Sequence, residues 1–209
     1  MKQGQVIPIF PTTITITNIG RDFEQDEMSY MMSFKDHVRD NGSNTKDIYI
    51  LEQPGLADIK ALCHQALQDY LRQVYNPINP DYIEMKITHS WLNFSRREQF
   101  HYKHTHHNSI LCGVLYIDAA KDTIVFTKAD SGDNWQIQPK EENPFNMCDV
   151  PISVSTGDLI IFPSNLTHSV PTIETERRIS LAFNSFFNGS IGFIEGPMKG
   201  INYLKINIP

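Results

Sequence analysis

The spacing of apolar positions changes character along the chain. Residues 12–17 alternate Thr with Ile, a two-residue period of β-branched side chains that predicts a strand. Phe23, Met28, Tyr30, Met31, Phe34 and Val38 follow at roughly helical spacing, residues 40–44 read as a loop, and residues 48–51 read as a short strand. Leu56, Ile59, Leu62, Cys63, Ala66, Leu67, Tyr70, Leu71 and Val74 then recur at three- and four-residue intervals. That spacing predicts a helix whose apolar stripe covers one face of a sheet, and Pro77 and Pro80 prevent its continuation.

After residue 82 the texture becomes short β runs separated by turns. Strands are predicted near 83–96, 99–104, 110–118, 123–128, 135–138, 152–155, 158–162, 168–173 and 178–187, with turn signals at 131–134, 142–144 and 156–158. Many short strands without intervening helices indicate a mainly β protein, a sandwich or jelly roll with N-terminal helical support. The expected organisation is one domain over 1–209: strand and helical support at 1–80, a β core at 81–190 and a tail at 191–209.

Composition narrows the function classes. A 40% hydrophobic fraction with twelve Phe and eight Tyr is enough to bury a core. The formal net charge of −6 argues against nucleic acid as the main partner, because such binding rests on phosphate neutralisation. Cys63, Cys112 and Cys148 are odd in number and widely spaced, which suggests reduced thiols rather than a disulfide framework. No apolar run reaches the ~18 residues of a membrane helix, and the start lacks a signal-like segment. A cytoplasmic protein is expected; a homodimer is left open.

The chemistry gathers in two places. Four of eight histidines fall within residues 101–107, and His104 and His106 stand two apart. On one strand face, two neutral imidazoles at that spacing can chelate a divalent metal. Farther on, residues 157–170 form a turn, an apolar strand, a Pro-marked bend and a single histidine, His168. Ten residues later Arg178 opens a run in which Ile179, Leu181 and Phe183 share one strand face and Arg178, Ser180 and Asn184 the other. A guanidinium buried on such a strand needs an anion. A small dicarboxylate would supply one, and so would a protein carboxylate.

H-x-H, some sixty residues, His, ten residues, then R-x-S: this order resembles the 2-oxoglutarate-dependent iron(II) oxygenase superfamily, whose usual pattern is H-x-D/E…H…R-x-S. The chain is most similar to a branch with phage-encoded and bacterial members. The motifs that carry the likeness are Trp91-Leu92-Asn93, His104-Thr105-His106, Cys112-Gly113-Val114-Leu115-Tyr116, the segment from Phe162 to His168, and the run from Arg178 to Asn184. The resemblance implies a double-stranded β-helix with Fe(II) held by His104, His106 and His168. It further implies that Arg178 and Ser180 bind the distal carboxylate of the co-substrate 2-oxoglutarate, with Tyr116 beside it, and that Asn93 hydrogen-bonds the co-substrate. Dioxygen would be the second co-substrate, and hydroxylation of a peptidyl residue such as proline, or of a small metabolite, the expected reaction. If the chain is phage-encoded, the host cytoplasm is its expected compartment.

His106 departs from the superfamily pattern, since a neutral imidazole replaces a carboxylate. His101 and His107 are rivals for the third position, but His107 is expected on the opposite strand face and His101 at the cleft mouth. His37, His64 and His89 have no surrounding constellation. Trp91, Phe94, Phe126, Phe162 and Phe183 read mainly as core, with Trp135 on a rim loop and 128–150 as a lid or solvent loop. Two rivals are a cupin-like three-histidine dioxygenase that uses no 2-oxoglutarate and a non-catalytic jelly-roll binding module.

Overall fold

A computed structural model describes residues 4–35, 44–128, 137–192, 200 and 203–209. Its strands are β1 (Thr15–Asn18), β2 (Ile83–Arg96), β3 (His101–His104), β4 (Leu111–Asp118), β5 (Asp122–Thr127), β6 (Asp149–Val154), β7 (Asp158–Pro163), β8 (Thr167–Val170), β9 (Arg177–Ile191) and β10 (Leu204–Ile206). The helices are α1 (Gln25–Met32) and α2 (Ala57–Tyr70), and a π-type turn over Leu71–Tyr75 extends α2.

Two antiparallel sheets form a jelly roll. The larger runs β1-β7-β4-β9-β10 with β2 also paired to β9; the smaller runs β3-β8-β5-β6. In the larger sheet β4 is buried nearly throughout, because both of its faces are covered. Leu111, Leu115 and Ile117 turn toward the helices, whereas Cys112, Val114 and Tyr116 turn toward the second sheet. The same alternation sends Ile179, Leu181 and Phe183 of β9 outward into the helical core.

Helix α2 covers that outer face through Ile59, Cys63, Leu67 and Tyr70. Full burial of each large apolar side chain contributes about 1.5–3 kcal/mol. Gln68 locks the helix to β2: its amide donates to the Met85 carbonyl (2.7 Å) and accepts from the Met85 N–H (3.2 Å). Gly113 is required where β4 meets β9, since a Cβ there would lie 2.0 Å from the Phe183 ring.

Several sequence expectations change. Residues 48–51 form no strand: Ile50–Glu52 is a 3-10 turn, and Tyr49 makes a single bridge to Ser90. The buried Ile50 and Leu51 fill the helical core instead of extending a sheet. Strand β6 begins at Asp149, ahead of Pro151, because an edge strand tolerates proline. Residues 137 and 138 are not in a strand, and residues 171–173 lie beyond β8. His37, Trp135, the 131–134 turn and part of the 128–150 loop lie outside the described residues. β1 and β10 both add to the larger sheet. All three cysteines are free. Among the described residues no helix is long and apolar enough to cross a membrane.

Candidate metal and carboxylate site

His104 ends β3 and lies in register opposite His168 on β8. The register of two neighbouring strands therefore brings two imidazoles together, with ring centroids 4.3 Å apart. His106 lies past the strand end, not on it as the two-residue spacing suggested. Its N–H donates to the Ser164 carbonyl (2.9 Å), which anchors the crossing from the smaller sheet to β4. Its ring stacks near His104 (5.2 Å) and His168 (5.1 Å). One nitrogen from each of the three histidines falls within 4.8 Å of the others.

Hydrogen bonds fix which nitrogen each ring offers. His104 Nδ1 lies 2.7 Å from the Tyr102 carbonyl, and His168 Nδ1 lies 3.0 Å from the Leu166 carbonyl. A carbonyl only accepts, so both Nδ1 atoms carry the proton and each Nε2 presents a lone pair. His106 Nδ1 lies 2.6 Å from Asn184 Oδ1. Burial pushes the His168 pKa down to about 4 and lowers that of His106, which keeps both rings neutral, as a metal ligand requires. Phe162 and Phe126 wall in His168, and Trp91 lies 5.7 Å from His106, so Trp91 lines the site rather than the core alone. His107 is exposed and outside the group.

Across the inner face of the larger sheet a second cluster forms. Asn93, Ser180 and Tyr116 stand in register on β2, β9 and β4. Arg178 is almost fully buried; one of its amino groups (Nη1) donates to Ser180 Oγ (3.1 Å), and its guanidinium lies 5.2 Å from the Tyr116 ring centroid. Arg178 also has a protein partner, because its Nε donates to Asp122 at the start of β5. A small dicarboxylate is therefore not needed to neutralise this cation. Asn93 donates to Ser180 Oγ (3.4 Å) and accepts from Asn44 (2.9 Å).

The donors in this cluster outnumber its acceptors. Tyr116 Oη is buried with no hydrogen-bond partner, and burial raises its pKa, so it remains a donor. Ser180 Oγ already accepts two N–H groups, which leaves its own proton to donate. The half-buried His101 adjoins this cluster: its Nε2 lies 3.4 Å from Ser95 Oγ, and its pKa is pushed down to about 4 by burial and by Arg178. Asp122, Ser95 and Asn184 have no role in the reading of the sequence. Only Asn184 left a signal, by sharing the strand face of Arg178 and Ser180. Two further histidines make ordinary contacts: His64 with Gln68 (3.1 Å) and His89 stacked on Tyr49 (5.7 Å).

Residues 89–184, just under half of the chain, match the family model described as "Putative 2OG-Fe(II) oxygenase". No curated protein matches in sequence. In fold, the chain is similar to an oxidoreductase of the 2OG-Fe(II) oxygenase family from Burkholderia pseudomallei (TM-score 0.52, 13% identity, covering 82% of this chain and 83% of that one). It is also similar to iron-bound HygX from Streptomyces hygroscopicus (0.53, 13%, 83% and 82%) and to HygX with nickel and 2-oxoglutarate bound (0.51, 14%, 83% and 81%). The comparisons lend no support to a phage origin. The matched segment holds every candidate ligand, and the fold around it is similar to that of these solved oxygenase structures.

Proposed function

We propose that the chain is an Fe(II)- and 2-oxoglutarate-dependent dioxygenase that hydroxylates a C–H bond of a peptidyl residue, such as proline, or of a small metabolite. His104, His106 and His168 would hold the iron, and Arg178, Ser180 and Tyr116 the distal carboxylate of 2-oxoglutarate, with Asn93 steadying Ser180. The observation that carries this reading is the unpartnered, buried Tyr116 hydroxyl beside Arg178. A buried hydroxyl without a partner costs about 1–3 kcal/mol, and an anionic acceptor would satisfy it together with the Ser180 proton. Bound together, iron and 2-oxoglutarate supply the activation of dioxygen that such a hydroxylation needs.

The chain's own part is binding and orientation. Carbonyls and an amide hold three imidazoles with Nε2 bare, while the donor-rich cluster fixes the far end of the co-substrate. Asp122 already balances the Arg178 charge, so recognition would rest on directed hydrogen bonds more than on net charge. Residues 1–209 would act as one domain, because β1 and β10 complete the sheet that carries Arg178. The free cysteines suit a reducing, cytoplasmic compartment.

The Asp122 pairing also favours a second reading, a three-histidine dioxygenase that uses no 2-oxoglutarate. Succinate formation from 2-oxoglutarate, dependent on iron and oxygen and absent in His168→Ala, is expected. Its absence in the iron-loaded wild type would reject the first reading.

A further inference from the structure

Two of the three histidines are held locally. His104 and His168 each donate through Nδ1 to the backbone carbonyl two residues earlier, Tyr102 and Leu166. No side-chain substitution removes those acceptors. His106, the residue that departs from the superfamily pattern, is held instead by a side chain 78 residues away, Asn184 on β9.

Asn184 is itself oriented. Cys112, its register partner on β4, donates its thiol to the same Oδ1 (3.3 Å). Burial pushes the Cys112 pKa up to about 12, which keeps the thiol protonated as a donor. The atom that receives the thiol proton is the amide oxygen rather than the NH2, and an amide oxygen only accepts. His106 Nδ1 must then carry the proton, which leaves Nε2 bare.

We propose that Asn184 is the positioning residue for the third metal ligand: it fixes His106 as the Nδ1–H tautomer and so permits a neutral imidazole where the superfamily pattern has a carboxylate. The proposal rests on the reading of His106 as a ligand. Asn184→Asp keeps an acceptor of the same shape; Asn184→Leu and Asn184→Ala remove it.

Ring 15N shifts of the metal-free protein and Co(II) titration followed by d–d absorption provide the test. Wild type and Asn184→Asp should show His106 as the Nδ1–H tautomer and bind Co(II) with comparable affinity. Asn184→Leu should populate the other tautomer and bind Co(II) about 10- to 100-fold more weakly. Asn184→Ala should do the same, and it decides the matter if the leucine variant does not fold. Co(II) affinity within threefold of wild type in the acceptor-free variant, with the tautomer unchanged, would overturn the proposal. So would an Asn184→Asp variant as weak as the acceptor-free ones. If His106→Ala binds Co(II) as tightly as wild type, the ligand reading itself fails, and the proposal fails with it.

Discussion

Arg178 and Asp122 form an ion pair whose side chains are only 3% and 9% exposed. The pair joins β9 of the larger sheet to β5 of the smaller one, and so ties the two layers together beside Asn93, Ser180 and Tyr116. Removing one partner strands a buried charge. Asp122→Ala should lose about 3–5 kcal/mol in urea unfolding, whereas the double variant Arg178→Met/Asp122→Leu should recover most of that loss. A loss below about 1 kcal/mol for Asp122→Ala would show that solvent reaches the guanidinium.

Tyr116→Phe separates stability from binding. The hydroxyl is buried and unpartnered, so removing it should leave the ligand-free protein as stable as wild type or about 1 kcal/mol more stable. The same change should weaken 2-oxoglutarate binding about tenfold or more, since a hydrogen bond to a charged group is lost. Calorimetric titration with the Co(II)-loaded protein, paired with urea unfolding, checks both signs. A destabilised variant with unchanged affinity would mean that the hydroxyl serves packing alone.

Ala182 is the small residue between the two ends of the site. It lies on β9 between Ser180 and Asn184, in register with Trp91 and Val114. Ala182→Leu should keep Co(II) affinity within about threefold and lose 2-oxoglutarate affinity more than tenfold, because added volume on a packed inner face has nowhere to go. Equal loss of both ligands would indicate general disruption of the sheet.

The metal-free protein should weaken in mild acid. His101 and His168 have folded pKa values near 4, held down chiefly by burial, against about 6.5 in the unfolded chain. Above pH 6.5 both states are neutral and these groups do not affect stability. Between pH 6.5 and 4 the unfolded chain takes up protons that the folded protein refuses, so stability falls as pH falls, by up to ~1.4 kcal/mol per pH unit for each group. Below about pH 4 their contribution levels off. Urea midpoints from pH 7.5 to 4 measure this. A flat profile, or one rising toward acid, contradicts the burial of these rings.

What was legible in sequence was local and periodic. The alternation of Arg178, Ser180 and Asn184 with Ile179, Leu181 and Phe183 announced a two-faced strand, and β9 has that form. The His104 to His106 spacing announced convergence, although the strand ends between them and the crossing to β4 places His106. Asp122 was not legible: its inward position depends on where β5 starts against β6 and β8, a long-range register. Ile48 to Leu51 misled because an apolar β-branched run suits a buried 3-10 turn as well as a strand. The acceptors of His104 and His168 are backbone carbonyls, which no residue pattern encodes.

The central claim is that the three-histidine group and the Arg178 cluster bind one metal and one 2-oxoglutarate together. Its most direct test is the visible spectrum of the anaerobic protein titrated with Fe(II) and then 2-oxoglutarate. A metal-to-ligand charge-transfer band should appear only after both are added, vanish in His168→Ala, and require far more 2-oxoglutarate in Arg178→Ala. No band in the wild type, or a band indifferent to Arg178, would contradict it.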